Sequence, residues 1–430
     1  MRNVAALTTG VTVAQAITMA FAPIITRLYG PEAFGILGVF MSIVAIVTPV
    51  AALTYPIAIV LSKSDQEAKG LIRISAYTAV LTATTITIIL MLFTKPLVQL
   101  LQIEVIAPYL LFIPLVMLFA VAVQIAQQWL IRKKQFKVTA KVTVAQSLIV
   151  NSTKAGVGLF HPVAAVLVTI SVFGSLLNAL MLALGVKQAT SSTQESELSD
   201  STEPASMQQL AKRHKDFPMY RAPQVFINAM SESLPIFMLT AFFGPATAGF
   251  YAIGKAVLGL PTTLIAKSVF DVFYQRFNEA AQDRENLKSL LIKTTLGMGV
   301  IGFLPYAIVI AFGPHLFSFI FGAEWMTAGE YARWLALWLF FRFINRPCVA
   351  AVPVLGLQKG LFIYELFSTC TKLMALAIGL YLFKSDILAI GFFSVMGVIA
   401  YIVLILWIVI ASKGFNEEAM SGKTSRQIAL

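Results

Sequence analysis

The sequence predicts an all-α, polytopic membrane protein of about twelve transmembrane helices, arranged as two six-helix repeat lobes. Four observations predict it. Apolar stretches of about twenty residues, the length that crosses a bilayer as a helix, recur along the whole chain. The residues are 58% hydrophobic and only 12% charged, and lipid forces such segments to satisfy their own backbone groups as helices. Lys and Arg concentrate in alternate loops, the pattern that orients a multi-spanning chain. Lastly, a turn repeats. Gly30-Pro31-Glu32-Ala33-Phe34-Gly35 returns close to half a chain later as Gly244-Pro245-Ala246-Thr247-Ala248-Gly249. Phe93-Thr94-Lys95-Pro96-Leu97 is echoed at nearly the same offset by Phe312-Gly313-Pro314-His315-Leu316. Repeated punctuation in register is the mark of a duplication.

Composition also excludes. A net charge of +12 would point to nucleic acid in a soluble chain. Here much of it is expected to be cytoplasmic-loop charge, with the remainder inside the membrane, so no nucleic-acid partner is expected. Cys348 and Cys370 lie in apolar segments, so no disulfide framework is expected. Three histidines and no Cys/His cluster indicate no metal, and no cofactor is expected. Arg2, an apolar run and Ala20-Phe21-Ala22 imitate a cleavable leader. However, Ile24 to Tyr29 leads straight into the first repeated turn, which assigns the first helix to the repeat.

Taken in order, the predicted spans are 4–25, 34–61, 71–94, 107–131, 142–160 and 162–186, then 217–243, 247–274, 289–312, 330–356, 360–383 and 387–411. Pro49, Pro56, Pro114, Pro235, Pro261 and Pro353 fall inside spans, where neighbouring helices can satisfy the freed carbonyls. The basic loops around Lys63 to Arg73, Arg132 to Lys141, Lys187 to Lys215, Arg276 to Lys293, Lys359 and Lys413 alternate with loops carrying only Arg27, Lys95, Arg333 and Lys384. Both termini are therefore expected in the cytoplasm, with an even number of helices. The longest outer loops are expected at 95–106 and 313–329. Gln188 to Pro204 is Ser/Thr/Glu-rich and reads as a flexible cytoplasmic linker, Ser192 included. The expected domains are a lobe over 1–187, a linker over 188–216, a lobe over 217–412 and a tail over 413–430.

An ionisable side chain at bilayer depth costs at least about 2.5–3.5 kcal/mol on insertion scales, which makes it a functional candidate. Lys154, Arg221, Glu232, Lys255, Lys267, Asp271, Arg342, Arg346, Glu365 and Lys372 are placed there. Bases outnumber acids, so pairing cannot neutralise them all. Arg342 and Arg346 share a helical face with Asn345 between them. Lys154, Lys255, Arg342, Arg346 and Asn345 are the residues expected to line a hydrated cationic cavity. Glu365 and Lys372, seven residues apart, are read equally as a structural pair or as part of ion coupling. Glu232 is the other candidate for coupling. Asp271, Lys267 and Arg221 are expected to snorkel to the membrane surface. A cationic cavity between duplicated halves points to anion transport by alternating access. The planar guanidinium fork suits phosphate without specifying which anion is carried.

A more specific signal runs from Asp216-Phe217-Pro218-Met219-Tyr220-Arg221-Ala222-Pro223-Gln224 through Asn228, Ser231, Leu234-Pro235 and Phe243-Gly244-Pro245. It continues in Ala248-Gly249-Phe250-Tyr251, Leu260-Pro261 and Asp271-Val272-Phe273-Tyr274-Gln275. Thr26-Arg27-Leu28-Tyr29-Gly30-Pro31-Glu32, Phe321-Gly322-Ala323-Glu324-Trp325 and Gln128-Trp129-Leu130-Ile131-Arg132-Lys133-Lys134 agree. This set resembles the polysaccharide biosynthesis proteins, the O-antigen (Wzx-type) flippase branch of the multidrug/oligosaccharidyl-lipid/polysaccharide (MOP) exporter superfamily. The resemblance implies two six-helix lobes in a MATE-like V. It also implies passage of an undecaprenyl-pyrophosphate-linked oligosaccharide from the cytoplasmic to the periplasmic leaflet of a bacterial inner membrane. Coupling to an ion gradient follows from the same likeness. The expected partners are the lipid-linked oligosaccharide, membrane lipids, and a polysaccharide polymerase and chain-length regulator.

On this reading the chain is a transporter and not an enzyme. A multidrug exporter of the same fold is the first alternative; such a protein would be expected to carry an acidic cavity. A membrane polymerase or ligase of lipid-linked sugars is the second. It would need a substantial outer loop bearing catalytic groups, where short ones are expected.

Overall fold

The computed structural model describes residues 2–62, 64–101, 104–191, 207–283 and 285–420. Among them every regular element is helical. By internal contacts the chain divides into two compact units, Met1–Gly249 and Phe250–Leu430. Ser192, on which the linker expectation turned, lies outside the described residues.

The first unit opens with α1 (Arg2–Ala51), whose helix is broken at Gly30. Gly30 has φ 68° and ψ 173°, a region that only glycine enters without strain, and Pro31 restarts the helix with its φ already set. After a 3₁₀ turn at Tyr55–Ile57 come α2 (Ala58–Leu61), α3 (Asp65–Leu101), α4 (Phe112–Arg132), α5 (Phe136–Gly158), α6 (Ala164–Ser191), α7 (Met207–Arg213) and, past a π turn at Phe217–Arg221, α8 (Ala222–Phe243). Gly244 ends α8 with φ 85° and ψ 176°, and Pro245 starts α9 (Pro245–Pro261). The two Gly-Pro copies therefore share one backbone conformation.

They also touch. A Cβ on Gly35 would strike the Pro245 carbonyl, and a Cβ on Gly249 would strike the Pro31 carbonyl. Each copy thus leaves room, at its closing glycine, for the proline carbonyl of the other.

The first unit's largest seam joins α1 to α5. It is polar at its centre. The Thr18 and Ser147 hydroxyls lie 3.0 Å apart, Ser147 donates to the Ala14 carbonyl at 2.9 Å, and Asn151 Nδ2 donates to the Ser147 carbonyl at 2.7 Å. Such internal bonding is what polar side chains require between apolar helices. The short α7 is clamped to this unit. Leu210 is buried beside Ala68, Leu71 and Trp129, and Arg213 pairs with Glu67.

The second unit contains the rest of α9, a π turn at Thr262–Ala266, α10 (Lys267–Gln282), α11 (Leu287–Phe321), α12 (Met326–Ile344), α13 (Arg346–Ala351), α14 (Gln358–Tyr381) and α15 (Asp386–Met420). Its core gathers Phe273, Phe277, Leu287, Leu291, Cys348, Leu404 and Ile408. α11 and α12 approach closely because Gly313 and Gly329 face each other; a Cβ on Gly313 would lie 2.6 Å from the Gly329 carbonyl.

Eight helices among the described residues are long and apolar enough to cross a membrane: Thr8–Ala51, Asp65–Pro96, Phe112–Arg132, Ala164–Gln188, Phe217–Phe243, Leu287–Phe321, Gln358–Tyr381 and Asp386–Lys413. The break at Gly30 makes two arms of the first, covering two predicted spans. The three other predicted spans fall on α5, on α9 with α10, and on α12 with α13. These are the helices that hold Lys154, Lys255, Arg342 and Arg346. The chain is a multi-pass membrane protein.

One expectation needs correction. The outer loops predicted at 95–106 and 313–329 are largely helical, because α3 runs on to Leu101 and α11 to Phe321. Pro96 and Pro314 sit inside these helices. In α3 the strain is absorbed at Phe93, where φ is −121° and ψ 15°. A proline frees one carbonyl and kinks a helix without having to end it.

Candidate functional site

Six of the eight candidate residues belong to the second unit. Lys255 is carried by α9, Arg342 by α12, Arg346 by α13, Glu365 and Lys372 by α14, and Asn345 by the turn between α12 and α13. Lys154 on α5 and Glu232 on α8 belong to the first.

The helix carrying the arginines is interrupted where they occur. Pro347 has no N–H to offer the Phe343 carbonyl, so α12 stops at Ile344 and α13 restarts at Arg346. The backbone stays close to helical across the gap, since the Asn345 N–H reaches the Phe341 carbonyl at 3.1 Å and the Val349 N–H reaches the Asn345 carbonyl at 3.1 Å. Arg342 and Arg346 therefore remain about one turn apart, each half-buried. Asn345 is turned inward at 1% exposure, and its Oδ1 meets no hydrogen-bond donor among the described residues.

Aromatic rings lie under the cations. The Arg342 guanidinium carbon is 5.8 Å from the centre of the Trp338 ring. Lys372 Nζ is 5.5 Å from the same ring and 5.9 Å from Phe393. Lys255 Nζ is 5.8 Å from the Tyr251 ring. Tyr306 donates to the Leu258 carbonyl at 3.1 Å and meets Phe340 and Phe343 at ring-centre distances of 5.8 and 6.1 Å. The charges of Arg342 and Arg346 both act on the Tyr306 hydroxyl. The second unit thus combines half-buried cations with an aromatic floor. Each ring attracts its cation through the negative face of the π-system.

Glu365 is exposed, unlike the half-buried Lys372, and the charges of the two interact along α14. Glu232 is half-buried on α8, next to Ser233, whose hydroxyl lies 3.5 Å from the Ser42 carbonyl on α1. Lys154 is half-buried on α5, and its carbonyl accepts the Tyr29 hydroxyl at 2.8 Å. Arg221 is exposed, with Nη1 3.0 Å from Gln224 Oε1. The side chains of Lys267 and Asp271 lie outside the described residues.

Sequence reasoning missed the rings. A signal for them existed. Trp338 precedes Arg342 by four residues and Tyr251 precedes Lys255 by four, as Trp129 precedes Lys133, whose Nζ is 5.4 Å from that ring. Helical side chains lean toward the N-terminus, so a cation four residues on drapes back over the ring.

The sequence pattern described as "Polysaccharide biosynthesis protein" matches residues 24–330. None of the curated proteins matches the sequence significantly. Solved structures share the fold. A multidrug resistance MATE family transporter of the MOP superfamily, in its inward-facing conformation, is 14% identical with a TM-score of 0.70, over 94% of this chain and 96% of that one. Lipid II flippase MurJ, in an inward closed conformation, is 12% identical with a TM-score of 0.70, over 96% of this chain and 90% of that one. A MOP superfamily transporter from Pyrococcus furiosus, described as having a binding pocket of reverse polarity that suggests a different function, is 13% identical with a TM-score of 0.63, over 96% of both chains.

Proposed function

The chain belongs to the polysaccharide biosynthesis protein family, and from that premise we propose that it is a flippase for an undecaprenyl-pyrophosphate-linked oligosaccharide, the repeat unit of an O-antigen, capsule or exopolysaccharide. The carrying observation is the group of half-buried cations Lys255, Arg342, Arg346 and Lys372 set among aromatic rings in the second unit. A pyrophosphate crossing a membrane needs cations within reach at membrane depth. Arg342 and Arg346, one turn apart, supply planar forks for bidentate contact with its oxygens. Lys255 adds a point charge, and Lys154 contributes a further cation from α5.

On this reading the protein lies in a bacterial inner membrane with both termini cytoplasmic. It moves its substrate from the cytoplasmic to the periplasmic leaflet by alternating access, with Glu232 or Glu365 as the carboxyl that couples the cycle to an ion. A polysaccharide polymerase and a chain-length regulator act on the product side. The likeness in fold to a multidrug transporter supports a second reading, drug export. The excess of bases in the second unit disfavours it, because a cationic drug would meet like charge.

Purified protein in proteoliposomes tests the proposal. Undecaprenyl-pyrophosphate oligosaccharide placed in one leaflet should appear in the other only when the protein is present. Transport of a cationic dye with no movement of the lipid-linked sugar would replace the proposal with the second reading.

A further inference from the structure

We infer that a cavity in the first unit, where α3 begins and α4 ends, binds the phosphate of an anionic phospholipid, with Lys134 as the cation that meets it.

The cavity has a volume of about 550 Å³, and its lining includes Val60, Asp65, Arg132, Lys133, Lys134 and Phe136. It stands at the membrane edge, since one span runs Asp65–Pro96 and another Phe112–Arg132. Three bases and one acid are among these lining residues, so Asp65 cannot balance them. Asp65 accepts Arg132 Nε at 2.9 Å and pairs with Lys133 as well. Arg132 Nη1 also donates to the Ser62 carbonyl at 2.6 Å. These bonds tie the start of α3 to the end of α4. Lys134 stands apart from them. It is exposed, and its ammonium makes no hydrogen bond or ion pair among the described residues.

The backbone at Lys134 is a second, independent observation. α4 ends in a Schellman turn, in which the Lys134 N–H reaches the Ile131 carbonyl at 3.0 Å and the Gln135 N–H reaches the Leu130 carbonyl at 2.8 Å. Such a turn needs one residue in the left-handed region, where glycine is the usual choice. Here that residue is Lys134, with φ 56°. A side chain is strained in this conformation, and glycine is not. The turn therefore keeps a lysine at a conformational cost, beside a cavity which that lysine lines.

The chemistry of the ligand follows from the lining. An excess of bases selects an anion, and an ammonium suits a phosphate group as a point charge. Val60 and Phe136 add apolar wall that a free phosphate cannot use and a lipid can. Basic pockets between helices at a membrane surface bind phospholipid head groups by this combination.

The test uses the purified full chain in detergent, with dioleoyl phosphatidylglycerol as the probe and native mass spectrometry as the readout. The unaltered protein should retain this lipid in preference to dioleoyl phosphatidylcholine, which has no net charge. Lys134→Gly should raise the unfolding temperature, because it relieves the turn, and should weaken phosphatidylglycerol binding about fivefold. Lys134→Arg keeps the charge and should bind within about twofold of the unaltered protein. If the glycine variant does not express, Lys134→Asn carries the test, since asparagine tolerates the left-handed backbone. A rise in unfolding temperature with unchanged lipid binding would make Lys134 a turn residue alone and overturn the inference. Equal retention of the two lipids by the unaltered protein would overturn it as well. Release of bound phosphatidylglycerol by inorganic phosphate at the same concentration would make the ligand a soluble phosphate and overturn the lipid assignment.

Discussion

The two copies of the Gly-Pro turn carry the same backbone, and the stretches of chain that follow them differ in chemistry. Gly30 and Gly244 adopt matching positive-φ conformations, and Pro96 and Pro314 both lie inside long helices. Around the first copy, α1 to α6 hold a single candidate cation, Lys154, and a neutral seam of Thr18, Ser147 and Asn151. After the second copy come Lys255, Arg342, Arg346 and Lys372, with aromatic rings against three of the four. The repeat supplies a fold, and charge has accumulated on one side of it. Duplication therefore does not by itself place two equivalent sites; the chemistry of each half has to be read separately.

Substitutions can break this comparison. The largest expected effect is at the turns. Gly249→Val puts a branched side chain against the Pro31 carbonyl, a backbone atom that cannot rotate away. The loss should reach about 3 kcal/mol or more, the upper end for overpacking, and no monodisperse protein should elute from size-exclusion chromatography. Gly35→Val should fail in the same way, because the contact is reciprocal. If one failed and the other were tolerated, the equivalence of the two copies would be broken.

Next in size is the polar seam. Asn151→Leu removes the 3.3 Å bond from Asn151 Nδ2 to the Thr18 hydroxyl on α1 and should lower stability by about 1 kcal/mol, as interhelical hydrogen bonds in membranes do. Thermal unfolding in detergent would check this, and transport by the surviving protein should stay near normal, since the seam is structural. A transport loss out of proportion to stability would mean that the first half has chemistry of its own. The smallest effect belongs to Arg213→Ala. Arg213 is 56% exposed where it pairs with Glu67, so less than about 1 kcal/mol should be lost. Leu210 would still hold α7 to the unit.

Much of the fold was legible because a membrane allows few solutions. Apolar length, alternating loop charge and two Gly-Pro turns located the helices, although α3, α11 and α15 run seven to nine residues past their predicted ends. Three features escaped for identifiable reasons. Pro96 and Pro314 read as loop punctuation, yet a kink at Phe93 lets α3 continue. α7 has seven residues and buries only Leu210, too little periodicity for a pattern to register. The site was legible as charge and not as geometry. Arg342 and Arg346 announced themselves by depth, whereas Trp338 and Tyr251 looked like ordinary apolar residues. Nothing in the sequence indicated that Asn345 would turn inward.

The central claim is that the cations of the second half handle the substrate's charge. It is tested most directly by leaflet-to-leaflet movement of undecaprenyl-pyrophosphate oligosaccharide in proteoliposomes, at equal amounts of folded Arg342→Ala, Arg346→Gln and Lys154→Gln protein. Losing an arginine that grips phosphate through two charge-assisted bonds should slow movement about tenfold or more in each of the first two. Lys154→Gln should slow it less, since it removes a point charge and no fork. Unaltered rates in both arginine variants would show these side chains to be structural, and would contradict the claim.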